Sequence, residues 1–320
     1  MTLHAASSGL RPGPFAKLAT AAGDIKLAHS VFALPFAVLA AFLAGPGSTQ
    51  AGVSADQATA SSWPRFAGQL LLIVVCMVLA RTWAMLVNRV ADRRLDADNP
   101  RTARRAFASG RLSVRDGLAM LALCAVGFAA ACSLFGVLFG NWWPAWGAFP
   151  VLAWIALYSF TKRFTALCHL FLGSALATSP VAAAAAIDPA SLASPTIWLL
   201  AVMVLLWVAG FDVIYALQDL DHDRSAGLHS VPARLGPGGA IWTSRALHLV
   251  SFAALVGAWQ SQPGLGALFL VGVALTGALL VTEHVVLARR GKAGLDMAFF
   301  TLNGVISVVL GLTGVVDSVL

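Results

Sequence analysis

Nine runs of about twenty mostly apolar residues fill this chain, near 25–44, 66–88, 118–139, 143–160, 167–187, 196–216, 243–260, 264–287 and 297–319. That is the length an α-helix needs to cross a hydrocarbon core. With 59% of its residues hydrophobic and only 11% charged, and a mean hydropathy of +0.81, the chain is far too apolar for a soluble globular domain. The sequence predicts an all-α polytopic membrane protein of about nine transmembrane helices, in which residues 1–24 form an N-terminal segment and 25–320 the membrane domain. The first 24 residues lack the apolar core of a signal peptide, so the first run reads as a retained span.

The basic residues set an orientation. Arg11, Lys17 and Lys26 precede or open the first span, and eight arginines from Arg89 to Arg115 follow the second. Lys162 and Arg163, then Arg224, Arg234 and Arg245, then Arg289, Arg290 and Lys292, mark alternate later connections, while the opposite set holds only Arg65. The positive-inside rule therefore places the N-terminus in the cytosol and the C-terminus outside, as expected in a bacterial inner membrane. The net charge of +7 is explained by this orientation and by attraction to anionic membrane lipid, and no nucleic-acid partner is expected.

Two acidic clusters interrupt the apolar pattern: Asn88-Arg-Val-Ala-Asp92-Arg-Arg-Leu-Asp96, and Asp219-Leu-Asp221-His-Asp223. Each repeats a carboxylate at i and i+4, which stacks the two side chains on one helix face roughly 6 Å apart, where like charges repel unless a cation lies between them. Both sit at the predicted cytosolic end of a span and open a basic connection, 89–117 and 217–242, so together they form a cap. Oxygen ligands of this kind suit Mg²⁺, which commonly bridges to substrate phosphates, and a diphosphate is the natural guest. A solvated helix end is the plain alternative for one such cluster; calcium binding lacks the EF-hand spacing.

The motifs NxxxDxxxD (Asn88–Asp96) and YxxQDxxxD (Tyr215–Asp223), with Gly227-Leu-His-Ser-Val-Pro-Ala-Arg-Leu-Gly236, the opening Asp24–Pro35 and Tyr158-Ser-Phe-Thr-Lys162-Arg163, resemble the UbiA superfamily of intramembrane aromatic prenyltransferases along the whole chain. The resemblance implies a helical bundle around a central cavity, two Mg²⁺ ions on the motifs, a lateral opening for a polyprenyl chain, and transfer from a polyprenyl diphosphate to an aromatic acid acceptor such as 4-hydroxybenzoate or a dihydroxynaphthoate, in ubiquinone or menaquinone biosynthesis. It assigns Asn88, Asp92, Asp96, Asp219 and Asp223 as metal ligands and Lys162, with Arg163 beside it, as diphosphate contacts. Arg89 departs from members that carry Asp after the first Asn, and His229 departs from the Lys of the 4-hydroxybenzoate enzymes; the surrounding string is closer to the futalosine-route menaquinone enzymes. Heme or chlorophyll prenylation stays open within the family.

Arg81 and Asp212 each precede a motif by seven residues, about 10 Å deeper on the same face. Ionisable residues at membrane depth are functional candidates, and both match acceptor-pocket positions of the resembled family. Arg81 would bind a carboxylate and Asp212 would orient or deprotonate the acceptor; an Arg81–Asp212 ion pair is the structural alternative. Tyr158 and Tyr215 lie at the same level as possible cation-facing rings. His29, His169, His248 and His284 read as packing or interfacial residues, His222 as a solvated cap residue, and Glu283 as the partner of a nearby cation. Cys76, Cys124, Cys132 and Cys168 lie in spans without CxxC spacing and read as packing. A transporter would need broken helices at matching mid-membrane positions, and a CDP-alcohol phosphotransferase would gather more aspartates in one motif.

Overall fold

The computed structural model describes residues 13–25, 32–45, 62–295 and 297–320. Arg11, Lys26, His29 and most of the connection at 45–65 lie outside the described residues. Apolar runs become helices because lipid offers no partner for an unpaired backbone group. In chain order these are α1 (Pro14–Ile25), α2 (Leu34–Leu43), α3 (Ser62–Ala91), α4 (Arg93–Asp98), α5 (Val114–Phe139), α6 (Trp143–Thr161), α7 (Cys168–Ile187), α8 (Pro195–Tyr215), α9 (Leu220–Ser225), α10 (Val231–Ser261), α11 (Ala267–Arg290) and α12 (Asn303–Val319). Seven helices among the described residues are long and apolar enough to cross a membrane. The ten described residues of α2 and the nineteen of α6, diluted by Trp and Pro, occupy the other two of the nine expected positions.

Helix α8 is the axis of the bundle. It packs against α7 and α10, and α2 closes between α7 and α12. Trp207, fully buried, is ringed edge-on by Phe32, Phe36 and Phe211. Lipid tails are as apolar as leucine, so such a core is held by close packing and small residues more than by escape from water. Helix α7 supplies those residues: a Cβ at Gly173 would collide with the backbone oxygen of Leu205, so only glycine admits this approach to α8.

The connection at 217–242 is largely helical, and the one at 89–117 opens as helix before a run of turns at 99–113. Helix α3 runs on to Ala91 and resumes as α4, while α8 passes through a 3₁₀ turn at Ala216–Asp219 into α9. Helix α10 begins at Val231, twelve residues before the expected span, and bends at Gly236, whose φ of 71° places it in the left-handed region. Helix α1 lies across the same end of the bundle, tied by Lys17 Nζ to Asp116 (2.8 Å) and by the Ala106 N–H to Asp24 (3.2 Å).

Candidate active site

Each motif interrupts its helix at an aspartate. Asp92 sits at φ −91°, ψ 5° and Asp219 at φ −101°, ψ 8°, in the sparsely populated bridge region where many active-site residues lie. Asn88, Asp92, Asp96, Asp219 and Asp223 line one polar cavity of about 220 Å³, together with Lys162, Arg163, Tyr158, Asp212 and Tyr215. All five expected metal ligands are brought together.

Each of the four aspartates expected to bind metal is held by a cation. Arg163 pairs with Asp92 at 2.7 Å, Arg105 with Asp96 at 2.8 Å, Arg101 with Asp219 at 2.6 Å and Lys162 with Asp223 at 2.7 Å. Arg101 is bidentate, its Nε donating to the other Asp219 oxygen at 2.9 Å, and Asn99 adds a third donor at 3.0 Å. Asn88 donates to Asp92 (2.8 Å) and accepts from Arg89 (2.9 Å), which approaches Asp24 at 3.8 Å. The arginine that departs from the motif thus braces its first residue. Burial pushes the Asp92 carboxyl up to about 6 against the pull of Arg163. Burial also disfavours the Lys162 charge, but Asp223 and Asp219 outweigh it and hold the ammonium above its ordinary value.

Among the described residues, no three His, Cys, Asp or Glu side chains are gathered closely enough to grip one ion. The reason is the pairing above, which keeps each carboxylate on its own cation. The donor set nevertheless fits a hard divalent cation: it is all oxygen, and Asp96 Oδ2 is buried without any hydrogen-bond partner.

A second cavity, of about 650 Å³ and almost wholly apolar, adjoins the first; Tyr158 and Leu172 line both. It follows α6 from Tyr158 to Trp143, fifteen residues or about 22 Å of helix. Arg81 lines this chamber, and its Nε is buried with no hydrogen-bond partner among the described residues. Arg81 and Asp212 therefore face different cavities and do not pair with each other. Asp212 bonds His169 instead, Oδ2 to Nδ1 at 2.7 Å. Tyr215 stacks on Phe299 and carries the Arg101 guanidinium 5.8 Å above its ring.

Several expectations from sequence are corrected here. His169, read as packing or interfacial, lines the polar cavity and bonds Asp212, and the only signal for it was an ionisable group at the start of a span. Arg101, Arg105 and Asn99 were hidden in a basic connection. His248 and His284 do pack together, with ring nitrogens 3.1 Å apart. Glu283 is buried with no ion pair among the described residues, since Arg289 and Arg290 lie more than a turn further along α11. The four cysteines are free, with Cys76 and Cys132 sulfurs 3.9 Å apart on the chamber wall.

The UbiA prenyltransferase family profile matches residues 33–305. A 4-hydroxybenzoate octaprenyltransferase of Marinobacter nauticus is 31% identical over 257 residues, 79% of this chain and 83% of that protein. One from Pseudomonas savastanoi is 34% identical over 168 residues, a match that spans 54% of that protein's length and 52% of this chain. The apo structure of a UbiA homolog from Aeropyrum pernix superposes with a TM-score of 0.75 at 30% identity, covering 91% of this chain and 98% of that one. A UbiA homolog from Archaeoglobus fulgidus, bound to GPP and Mg²⁺, shares the fold with a TM-score of 0.64 at 15% identity, over 94% and 100% of the two chains.

Proposed function

This chain belongs to the UbiA prenyltransferase family and is a membrane prenyltransferase, and from that premise we propose that it moves a polyprenyl group from a polyprenyl diphosphate onto the ring of an aromatic carboxylic acid. 4-Hydroxybenzoate and a dihydroxynaphthoate, acceptors for ubiquinone and menaquinone biosynthesis, are the substrates proposed. The reaction belongs at the cytosolic face of a bacterial inner membrane, with the N-terminus and the motif cap in the cytosol and the C-terminus outside. The observation that carries the reading is the shared wall: a polar cavity with both acidic motifs meets a long apolar chamber at Tyr158.

The residues divide the work by position. The prenyl tail lies in the apolar chamber, and its diphosphate lies among Lys162, Arg163 and the motif carboxylates. Mg²⁺, held by Asn88, Asp92, Asp96, Asp219 and Asp223, would neutralise charge on the departing diphosphate. Lys162 and Arg163 hold the same oxygens by direct charge. As the carbon–oxygen bond of the donor breaks, Tyr158, on the wall between the two cavities, presents its ring to the allylic cation, while Tyr215, stacked on Phe299 with Arg101 above it, serves the centre by holding Arg101. The electron-rich acceptor ring forms the new carbon–carbon bond, and the ring proton it then sheds passes to the departing diphosphate. Asp212 orients the acceptor hydroxyl, drawing its proton as the ring attacks and returning it as the ring proton leaves, while Arg81 binds the carboxylate through its planar fork. An arginine at this depth with an unpartnered Nε calls for an anionic guest.

Membranes containing the chain, supplied with one polyprenyl diphosphate, Mg²⁺ and a panel of aromatic acids, should yield a prenylated carboxylic acid by mass. Arg81→Leu should raise the acceptor KM at least about tenfold and leave prenyl diphosphate binding unchanged, with Arg81→Lys recovering little. Prenylation only of acceptors that lack a carboxylate, or an unchanged acceptor KM in folded Arg81→Leu, overturns the acceptor assignment.

A further inference from the structure

Residues 228–231, between α9 and α10, form a strap against the starts of the neighbouring elements. The His229 N–H donates to the Lys162 carbonyl at 2.8 Å, and the Cys168 thiol donates to the His229 carbonyl at 3.4 Å. Ser230 Oγ donates to Asp223 at 2.8 Å, and the Val231 N–H donates to His169 Nε2 at 3.2 Å. Lys162 and Asp223 are thus pinned by one short segment. His169 is the link that extends this pinning to Asp212.

The contacts of His169 call for one arrangement of its ring protons. A backbone N–H only donates, so the nitrogen facing Val231 offers a lone pair, and the single ring proton resides on Nδ1. That proton points at Asp212 Oδ2, 2.7 Å away. An imidazolium would set two N–H groups against each other at Val231. His169 itself is 3% exposed, whereas the Asp212 side chain is 23% exposed and makes no other hydrogen bond among the described residues.

We infer that His169 is a positioning residue: as a neutral donor–acceptor bridge between the Val231 amide and Asp212, it turns the free oxygen of Asp212 toward the aromatic acceptor and holds it in register with the diphosphate-binding Lys162 and Asp223. The acceptor half of this statement rests on the proposed function. The bridge itself stands on geometry alone. An uncharged bridge needs one donor and one acceptor on the same planar group, and this requirement separates its substitutes. Glutamine supplies an amide N–H for Asp212 and an amide oxygen for Val231. Lysine has no acceptor, and leucine has neither.

The test uses the full-length chain in membranes or detergent. His169→Leu should raise the acceptor KM at least about tenfold with prenyl diphosphate affinity and the thermal midpoint little changed, and should speed exchange of the Val231 amide. His169→Gln should recover most of both losses, and His169→Lys should recover neither. In an Asp212→Asn background, His169→Leu should add little to the acceptor KM. Unchanged Val231 exchange in His169→Leu, or a glutamine variant as impaired as the leucine one, overturns the bridge. Restored exchange with an acceptor KM indifferent to both Asp212→Asn and His169→Leu supports the bridge but removes its acceptor role, and with it the placing of the acceptor at Asp212.

Discussion

The first and second motifs break their helices with nearly the same backbone angles, at Asp92 and Asp219, yet they stand on different ground. The span that ends in the second motif has 67% of its apolar stretch buried, against 28% for the span that ends in the first. Asp223 is fully buried, whereas the Asp92 side chain is 23% exposed. The second motif grows from the axis of the bundle, takes Lys162 from the connection that follows α6, and takes Arg101 and Asn99 from the connection of the first motif. The first grows from a peripheral helix and depends on its own connection for Arg105, on Arg163 from the connection that follows α6, and on α1 through Asp24 and Arg89. Both halves borrow cations from other segments, so the difference lies in the spans that carry them, one at the buried core and one at the margin.

The largest effect expected tests the equivalence. If both motifs serve one metal-dependent centre, Asp92→Asn and Asp219→Asn should each lower kcat about 10²- to 10³-fold, and chelation of Mg²⁺ should abolish turnover in the parent chain. Steady-state rates at limiting Mg²⁺ decide it. Near-wild-type turnover in either variant would break the pairing of the two halves into one site.

The difference in ground is tested by glycine. Gly173→Ala drives a methyl into the Leu205 backbone oxygen where α7 meets α8, and should destabilise by about 1–3 kcal/mol because backbone cannot move aside as a side chain can. Gly127→Ala, on α5 beside α3, meets only Leu79 methyls at 3.6 Å, and should be neutral or gain up to about 1 kcal/mol of helix propensity. Thermal midpoints in detergent, read by loss of the monodisperse peak, compare the two. Equal losses would mean that the peripheral half is packed as tightly as the axis.

What could be read from sequence follows the same division. Membrane spans and the i, i+4 carboxylates are local patterns, so the apolar runs and the aspartates at 92, 96, 219 and 223 stood out by spacing, while Asn88 was singled out only by the family resemblance. Pairings between distant segments were not. Asp212 and His169 lie 43 residues apart and Arg101 and Asp219 lie 118 apart, and nothing in either neighbourhood announces its partner. The Arg81–Asp212 alternative failed for a related reason: equal depth along two helices says nothing about which cavity each side chain faces. The bend at Gly236, which separates the Val231 cap from the span, was carried by a Gly-Pro pair within a connection expected to be loop.

The smallest effect concerns the outermost brace of the first half. Asp116 accepts from Lys17 of α1 at 2.8 Å and from Ser113 Oγ at 2.7 Å, which joins the α1 tie to the capping box that starts α5. The Lys17 ammonium first, and the Ser113 donors second, hold its carboxyl down to about 2. An unfolded aspartate titrates near 3.9. A carboxyl lowered by folding contributes its stability in full above the unfolded value and loses it as pH falls through the folded value, so this tie should loosen between about pH 4 and pH 2. The site is exposed and screened, so the loss should be local: backbone amides of residues 16–24 should exchange faster as pH falls through that window, after correction for the intrinsic pH dependence of exchange, while those of α8 stay protected. Lys17→Met should show the faster exchange already at neutral pH, and raising salt should mimic it partially. If α8 opens in the same window, the two halves share one stability and the contrast between core and margin fails; if neither responds, α1 is held by its apolar face and the Lys17–Asp116 pair contributes nothing to its docking.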